Sequence, residues 1–385
     1  MNNFTYFSPT KIHFGKGQIA ALKEEIAPNS RVLLTYGGGS IKANGVYEQV
    51  LDALQACSVV EFGGIEPNPH YETLIKAVAV VKQEQIDVIL AVGGGSVIDG
   101  SKLIAAAACY DGDYWDIITT GGACVKRALP LGCVLTLPAT GSEMNGNSVI
   151  TRAETQDKLA FGSDFVLPLF SILDPQTTYT LPTRQIANGA VDSFAHIMEQ
   201  YMTYPVNAKV SDRFAESLLT NLLEDGPAAL ATPEDYEVRA NLMWTATMAL
   251  NGTLKNGVPS DWSTHAIGHE LTALYGLDHA QTLAIVMPAL WRYKKEQKKG
   301  KLLQYAHRVL NITSGTEDEQ IELAIQKTED FFIQMGNPTR LSDYNLSEKD
   351  IPAVEEKLTA HGLLALGEHQ DITPQDAAEI LKLAL

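Results

Sequence analysis

Hydrophobic and polar positions follow one rhythm up to about residue 180 and another after it. In the first part, short apolar, β-branched runs bounded by Gly or Pro predict buried strands at residues 32–36, 88–92, 133–137 and 171–173. Between them, residues 45–56, 70–83 and 97–108 repeat apolar positions at helical spacing. That alternation predicts an α/β domain with a mainly parallel sheet. After Pro182 strand signals nearly vanish. Long helical patterns take over at 183–202, 209–225, 234–254, 261–275, 279–294, 317–335 and 374–385. Breaks are expected at Pro205, Gly226, Pro233, Gly257, Gly276 and Pro338. We therefore expect two domains, an α/β domain over 1–182 and an all-helical one over 183–385.

Composition narrows the function classes. The 385 residues are 45% hydrophobic and 19% charged, which fits a soluble globular protein and not a disordered one. A net charge of −17 argues against a nucleic acid or an anionic membrane as partner, while leaving room for a local basic pocket. Cys57, Cys109, Cys124 and Cys133 are scattered, and the first residues lack the basic start and apolar run of a signal peptide. A reducing cytoplasm is the expected home. The run of lysines at 294–301 reads as a solvated helix end, and His307, His361 and His369 read as surface residues.

Two places combine a strand, Gly-Gly-Gly-Ser and a helix. One holds Gly37, Gly38, Gly39 and Ser40; the other holds Gly93, Gly94, Gly95 and Ser96. Without a Cβ, glycine lets backbone N–H groups approach phosphate oxygens, and a helix N-terminus adds a favourable dipole. Neither loop is a GxGxxG fingerprint or a Walker loop, and a tight turn alone would explain either. The pair, in one Rossmann-like sheet, favours a dinucleotide pyrophosphate. Around the first loop stand Ser40, a donor, and Lys42, a cation, with no carboxylate in the local sequence. That set tolerates a 2′-phosphate, which an Asp would repel, and so favours NADP(H). Thr136 and Thr140 close another buried strand, followed by Asn147 and Lys158; singly, each of these reads as structural.

The chemistry concentrates in the helical half. Asp192 and His196, and His265 and His269, are spaced i, i+4, and His279 follows. Each pair presents both side chains on one helix face. Imidazoles with a carboxylate suit zinc or ferrous iron, not calcium or magnesium. Five candidates exceed a tetrahedral set, so one of them serves as a neighbour or proton relay, and spacing does not say which. The rival reading is a polar network between helices.

Several stretches together resemble the iron-containing alcohol dehydrogenase family, most closely its NADPH-dependent aldehyde reductase, butanol dehydrogenase-like branch. They are Ile12-His13-Phe14-Gly15-Lys16-Gly17, residues 93–99, 174–182, Gly189-Ala190-Val191-Asp192-Ser193-Phe194-Ala195-His196, and 265–279. The likeness runs nearly end to end. It implies a dehydroquinate synthase-like architecture. It implies Asp192, His196, His265 and His279 as metal ligands, with His269 nearby but unligated; as the catalytic residue, His269 is expected to supply the proton that completes the alcohol. It also implies coenzyme contacts from Gly37, Gly38, Gly39, Ser40, Asn68, Gly94, Gly95, Ser96, Asp99, Thr136, Thr140, Asn147 and Lys158, and a homodimer. Ser193 stands where relatives more often carry an apolar residue.

The expected activity is reversible hydride transfer between NADP(H) and short aldehydes or primary alcohols, with one Fe2+ or Zn2+ ion polarising the carbonyl. One alternative is an NAD-dependent polyol dehydrogenase of the same fold. Another is a nucleotide-binding sensor whose metal is structural. The stretch 261–279 contains no Lys or Arg, so an uncharged carbonyl suits it better than a phosphorylated substrate.

Overall fold

The computed structural model describes all 385 residues. Six strands form one parallel sheet: β1 (Lys11–Phe14), β2 (Arg31–Thr35), β3 (Ser58–Phe62), β4 (Val88–Gly94), β5 (Leu131–Leu137) and β8 (Phe170–Leu173). Their order is β1-β8-β5-β4-β2-β3. A separate antiparallel hairpin joins β6 (Asn147–Arg152) to β7 (Asp157–Gly162). The helices of this half are α1 (Leu22–Glu25), α2 (Ser40–Ala43), α3 (Val46–Ala53), α4 (Tyr71–Gln83), α5 (Gly95–Ala107) and α6 (Trp115–Thr119).

Both faces of the sheet are covered. Val32 and Leu34 of β2 join Leu90, Val92 and Val134 in one core, with Ile19, Leu22, Val46 and Val50. Leu33 points the other way, into a core with Ile89, Ala91, Cys133 and the α4–α5 residues Leu74, Val78 and Ile98. Period-two alternation between two buried faces makes the central strands read as continuous apolar runs.

The remaining helices are α7 (Thr183–Tyr201), α8 (Lys209–Ala231), α9 (Tyr236–Ala249), α10 (Ser263–Tyr275), α11 (His279–Tyr293), α12 (Lys295–Arg308), α13 (Glu317–Gln334), α14 (Ile351–Ala360) and α15 (Pro374–Lys382). Within them, α7 is buried over most of its length, and Phe194 packs on Phe331 and Phe332 with ring centroids 5.4 Å apart in each case.

The chain forms two compact units, and a single cut does not describe them. One unit comprises Phe7–Pro182 and Pro233–Thr247; the other comprises Met1–Tyr6, Thr183–Thr232 and Met248–Leu385. Most of α9 thus belongs with the sheet, where Arg239 Nε donates to Thr178 Oγ1 (3.0 Å) and Thr247 Oγ1 donates to Glu143 Oε1 (2.5 Å). Met243 joins the α4–α5 core, and Trp244 meets Phe14 edge-on. The first six residues go with the helices, where Asn2 N–H donates to Gly257 O (2.9 Å).

Three expectations need correction. The helix expected to stop before Gly226 continues as α8 through Gly226 and Pro227: the proline removes one N–H donor, but Gly226 is buried against Ala190, Phe331 and Met335 and that packing holds the helix on. The lysine run is no solvated helix end. Lys298 is 1% exposed and donates to Asp261 Oδ2 (2.8 Å), Glu368 Oε1 (2.7 Å) and Met202 O (2.7 Å). Lys301, also buried, pairs with Asp212 (2.5 Å). Nor is His361 a surface residue, since its Nδ1 lies 2.7 Å from buried Glu270 Oε1. Buried charges persist where opposite charges and hydrogen bonds compensate them.

Candidate functional site

Helix α7 carries Asp192 and His196, α10 carries His265 and His269, and His279 is the first residue of α11. The position of α11 is set by Asp278 just before it. Its carboxylate takes Arg184 Nη2 (2.8 Å) and Asn188 Nδ2 (2.8 Å) from the first turns of α7, and its N–H donates to Gln281 Oε1 (2.9 Å). These bonds tie the start of α11 to the helix that bears Asp192.

The three helices converge on one atom. Asp192 Oδ1 lies 3.6 Å from His196 Nε2, 3.9 Å from His265 Nε2 and 3.6 Å from His279 Nε2. That oxygen is buried and accepts no hydrogen bond. One donor atom from each of Asp192, His265 and His279 lies within 4.8 Å of the others. Two ligands each about 2.1 Å from an ion at the tetrahedral angle would stand about 3.4 Å apart, so the three distances from Asp192 Oδ1 are a few tenths of an ångström wider than in a closed tetrahedron, and the donor group as a whole is more open. The His196 and His265 rings stack at 4.8 Å. The mutually close donor group is Asp192, His265 and His279; His196 Nε2 meets it at Asp192 Oδ1, and half-buried His269 stands outside it, its ring 5.1 Å from that of His279 and 6.3 Å from that of His265.

Behind His265 stands a residue that the spacing pattern did not single out. Glu199, on α7, is buried and lies 3.2 Å from His265 Nδ1 through Oε1. Burial and the nearby Asp261 push its carboxyl well above the ordinary carboxylate range, opposed by N–H donors and Lys298. Its position 199 continues the 192, 196 series at i+7, so the signal was one more turn of the same helix face.

In the sheet unit, both glycine loops leave the carboxyl ends of adjacent strands. The connection after β2 runs outward to β3 and the one after β4 runs the opposite way to β5, so the loops flank a topological switch point. The glycines differ in what demands them. A Cβ on Gly95 would meet the Thr140 side chain at 2.4 Å, and one on Gly94 would meet Leu137 at 2.9 Å, so chain packing alone requires glycine in the second loop. At Gly38 and Gly39 a Cβ would meet nothing within 4 Å, leaving space for a ligand. Gly39 also has φ +96°, a left-handed conformation that favours glycine.

The other expected coenzyme residues fall in several settings. Asn68 N–H donates to Ser96 Oγ (3.3 Å), bringing those two together, and Ser142 N–H donates to Thr140 Oγ1 (3.2 Å). Thr136 ends β5 almost buried, Asn147 opens β6 exposed, and Lys158 is buried on β7. Asp99 is engaged by the protein itself. Its Oδ1 accepts from Ser142 Oγ (2.5 Å) and its Oδ2 from Val149 N–H (2.9 Å). Beside it, Lys102 donates to Ser142 Oγ, Asn145 Oδ1 and Asn147 O at 2.7, 3.3 and 2.7 Å. Burial pushes Asp99 up and Lys102 down to about 8. Asp99 and Lys102 brace the loop before β6 from α5.

Lys42 also has company invisible in the local sequence. Its Nζ lies 2.8 Å from Glu61 Oε2, at the end of β3, and both Tyr36 and Tyr47 donate their hydroxyls to the same carboxylate. A carboxylate therefore does lie beside the first loop, held by one lysine and two tyrosines.

Comparison with known proteins agrees along the whole chain. Residues 9–175 match the iron-containing alcohol dehydrogenase family, and residues 186–385 match the C-terminal part of the Fe-containing alcohol dehydrogenase family. The NADPH-dependent aldehyde reductase YqhD of Escherichia coli (strain K12) is 59% identical over 386 residues, covering 100% of both chains. Probable NADH-dependent butanol dehydrogenase 1 of Bacillus subtilis (strain 168) is 44% identical, again covering 100% of both. The crystal structure of the Escherichia coli K-12 protein superposes with a TM-score of 0.99, covering 100% of this chain and 99% of that one. NADH-dependent butanol dehydrogenase A from Thermotoga maritima gives 0.95 at 39% identity, with 100% and 99% covered.

Proposed function

The chain belongs to the iron-containing alcohol dehydrogenase family, and from that premise we propose that it reduces short-chain aldehydes to primary alcohols, reversibly, with NADP(H) and one divalent ion. The observation that carries the metal is Asp192 Oδ1, a buried carboxylate oxygen without a hydrogen bond, faced by three imidazole Nε2 atoms beyond hydrogen-bond reach. A buried carboxylate left so is costly unless a cation joins it. Three nitrogens and one oxygen fit Fe2+ or Zn2+.

Asp192, His196, His265 and His279 are the proposed ligands. When bound, the ion supplies Lewis-acid polarisation of a carbonyl oxygen, and the coenzyme supplies hydride. His269 holds a ring N–H whose proton goes to the oxygen of the product alcohol. His269→Ala is expected to retain the metal and lower turnover by about 10²-fold, with a flattened pH–rate profile. Loss of metal from that variant would overturn the role.

For the coenzyme, the open face of Gly38 and Gly39, with Ser40 and Lys42, supports a 2′-phosphate; Glu61 must share Lys42 with it. Gly38 is the better test position, because an Asp at Gly39 would be strained by its left-handed backbone. Gly38→Asp is expected to shift the NADPH-to-NADH ratio of kcat/KM downward on the order of tenfold, about 1.4 kcal/mol of charge repulsion. An unchanged ratio would remove the 2′-phosphate argument.

No helix is long and apolar enough to cross a membrane. Four free thiols fit a reducing cytoplasm, and a homodimer is the expectation that family membership carries. The decisive assay follows nicotinamide absorbance after metal reconstitution of anaerobically purified protein, with butanal and NADPH. Absence of NADPH oxidation with every short aldehyde would overturn the proposal.

A further inference from the structure

Four contacts converge on the Glu199 carboxylate and its backbone. Its Oε2 accepts from Trp262 N–H (2.9 Å), and its Oε1 accepts from His265 N–H (3.0 Å) and faces His265 Nδ1 at 3.2 Å. Its carbonyl oxygen accepts from Asp261 N–H (2.8 Å). Glu199 thus caps the first turn of α10 from the neighbouring helix, where the first amides of a helix lack partners of their own.

A cap needs only the two amides. The contact at Nδ1 does something more. Two backbone N–H groups point at the carboxylate, one at each oxygen, and favour its ionised form against burial; in that form it is acceptor only, and the imidazole brings the proton to the shared edge. His265 Nδ1 then carries hydrogen and Nε2 carries the lone pair. Nε2 is the atom that faces Asp192 Oδ1.

We infer that Glu199 is a positioning residue that holds His265 in the tautomer and orientation needed for a metal ligand. The inference rests on the metal-centre reading above. Carboxylates hydrogen-bonded to the far nitrogen of a ligating histidine fix its ring and raise its basicity.

The turn that presents His265 is over-determined from the other side. Trp262 has φ +65°, a left-handed conformation that is uncommon for a bulky residue and persists where the surroundings impose it. Asp261 Oδ1 accepts from Ser263 N–H (3.0 Å), and Asp261 Oδ2 accepts from Lys298 Nζ (2.8 Å). The Trp262 ring then lies edge-on to His265 at 5.3 Å. Glu199 grips the turn from α7 while Lys298 grips it, through Asp261, from α12. Because Asp192, His196 and Glu199 share one face of α7, the same helix supplies two proposed ligands and orients a third.

The test uses the full-length protein and Glu199→Gln, which keeps the size and removes the charge. Zn2+ affinity is measured by competition with a chromophoric chelator, the Co2+-loaded protein by its visible spectrum, and the metal-free protein by thermal unfolding. Zn2+ affinity is expected to fall about 10- to 100-fold, with altered Co2+ bands, and Glu199→Asp to recover part of the loss. Parental Zn2+ affinity and Co2+ bands, with only a lower melting temperature, would reduce Glu199 to a helix cap and overturn the inference alone. A parent protein that binds neither ion would overturn the metal-centre reading and this inference with it. Should Glu199→Gln fail to fold, 15N-histidine spectra of the metal-free parent decide. Signals absent from a His265→Asn control must report the Nδ1–H tautomer, and an Nε2–H tautomer overturns the assignment.

Discussion

His265→Ala and His279→Ala are each expected to lose bound metal and aldehyde reduction together, with kcat/KM falling on the order of 10³-fold or more. The magnitude follows from Lewis-acid stabilisation being worth several kcal/mol, at about 1.4 kcal/mol per tenfold. The two histidines reach Asp192 from different helices, α10 and α11, so neither loss is repaired by sliding a single element. Removing either imidazole also leaves Asp192 Oδ1 buried with fewer counter-groups. Elemental analysis and steady-state kinetics on the same preparation check the coupling. If His269→Ala emptied the centre while His265→Ala kept its ion, the ligand assignment would be wrong.

Lys298→Met is expected to be among the most destabilising substitutions of a residue outside the proposed metal ligands. It strands Asp261 and Glu368, whose side chains are each 4% exposed, without the cation that joins them. Breaking a buried pair by removing one partner costs about 3–5 kcal/mol. The neighbouring Lys299→Ala removes only an exposed bridge to Glu317, which solvent screens, and should cost far less. Burial alone would lower the Lys298 pKa, but Asp261 and Glu368 outweigh it and raise the value above that of an ordinary lysine. A raised folded pKa means the stabilisation is complete at neutral pH and fades only as pH climbs past the ordinary lysine range. Chemical denaturation of the two variants at neutral pH gives the comparison. Equal, small losses would mean that the stranded carboxylates reach solvent or pair elsewhere.

The second expectation shows where reading along the chain stops. From charge patterning alone, residues 294–301 look like a solvated helix end, and half of the surprise lies in one helical period: Lys298 and Lys301 turn inward while Lys299 turns out. Their partners, Asp261, Glu368 and Asp212, lie 37, 70 and 89 positions away. Strands were legible in proportion to burial. The central β2, β4, β5 and β8 are continuous apolar runs, whereas β1 and β3 lie at the sheet edges with partly exposed faces, and β6 and β7 form a small polar hairpin. Edge strands mix polar and apolar positions and so carry a weaker signal.

What the amino-acid order determined by itself was local and periodic. It set the helix faces that pair Asp192 with His196 and His265 with His269, the buried central strands, and the glycines that open the loops after β2 and β4. What only the tertiary structure decided was which of those faces meet: the convergence of three imidazoles on Asp192 Oδ1, the turn that sets Glu199 behind His265, the capture of Lys42 by Glu61, and the placement of α9 beside the sheet. Spacing along a helix is enforced by its own backbone hydrogen bonds, so it survives in the sequence. Contacts between elements are set by packing many side chains at once, and no short stretch of chain records them.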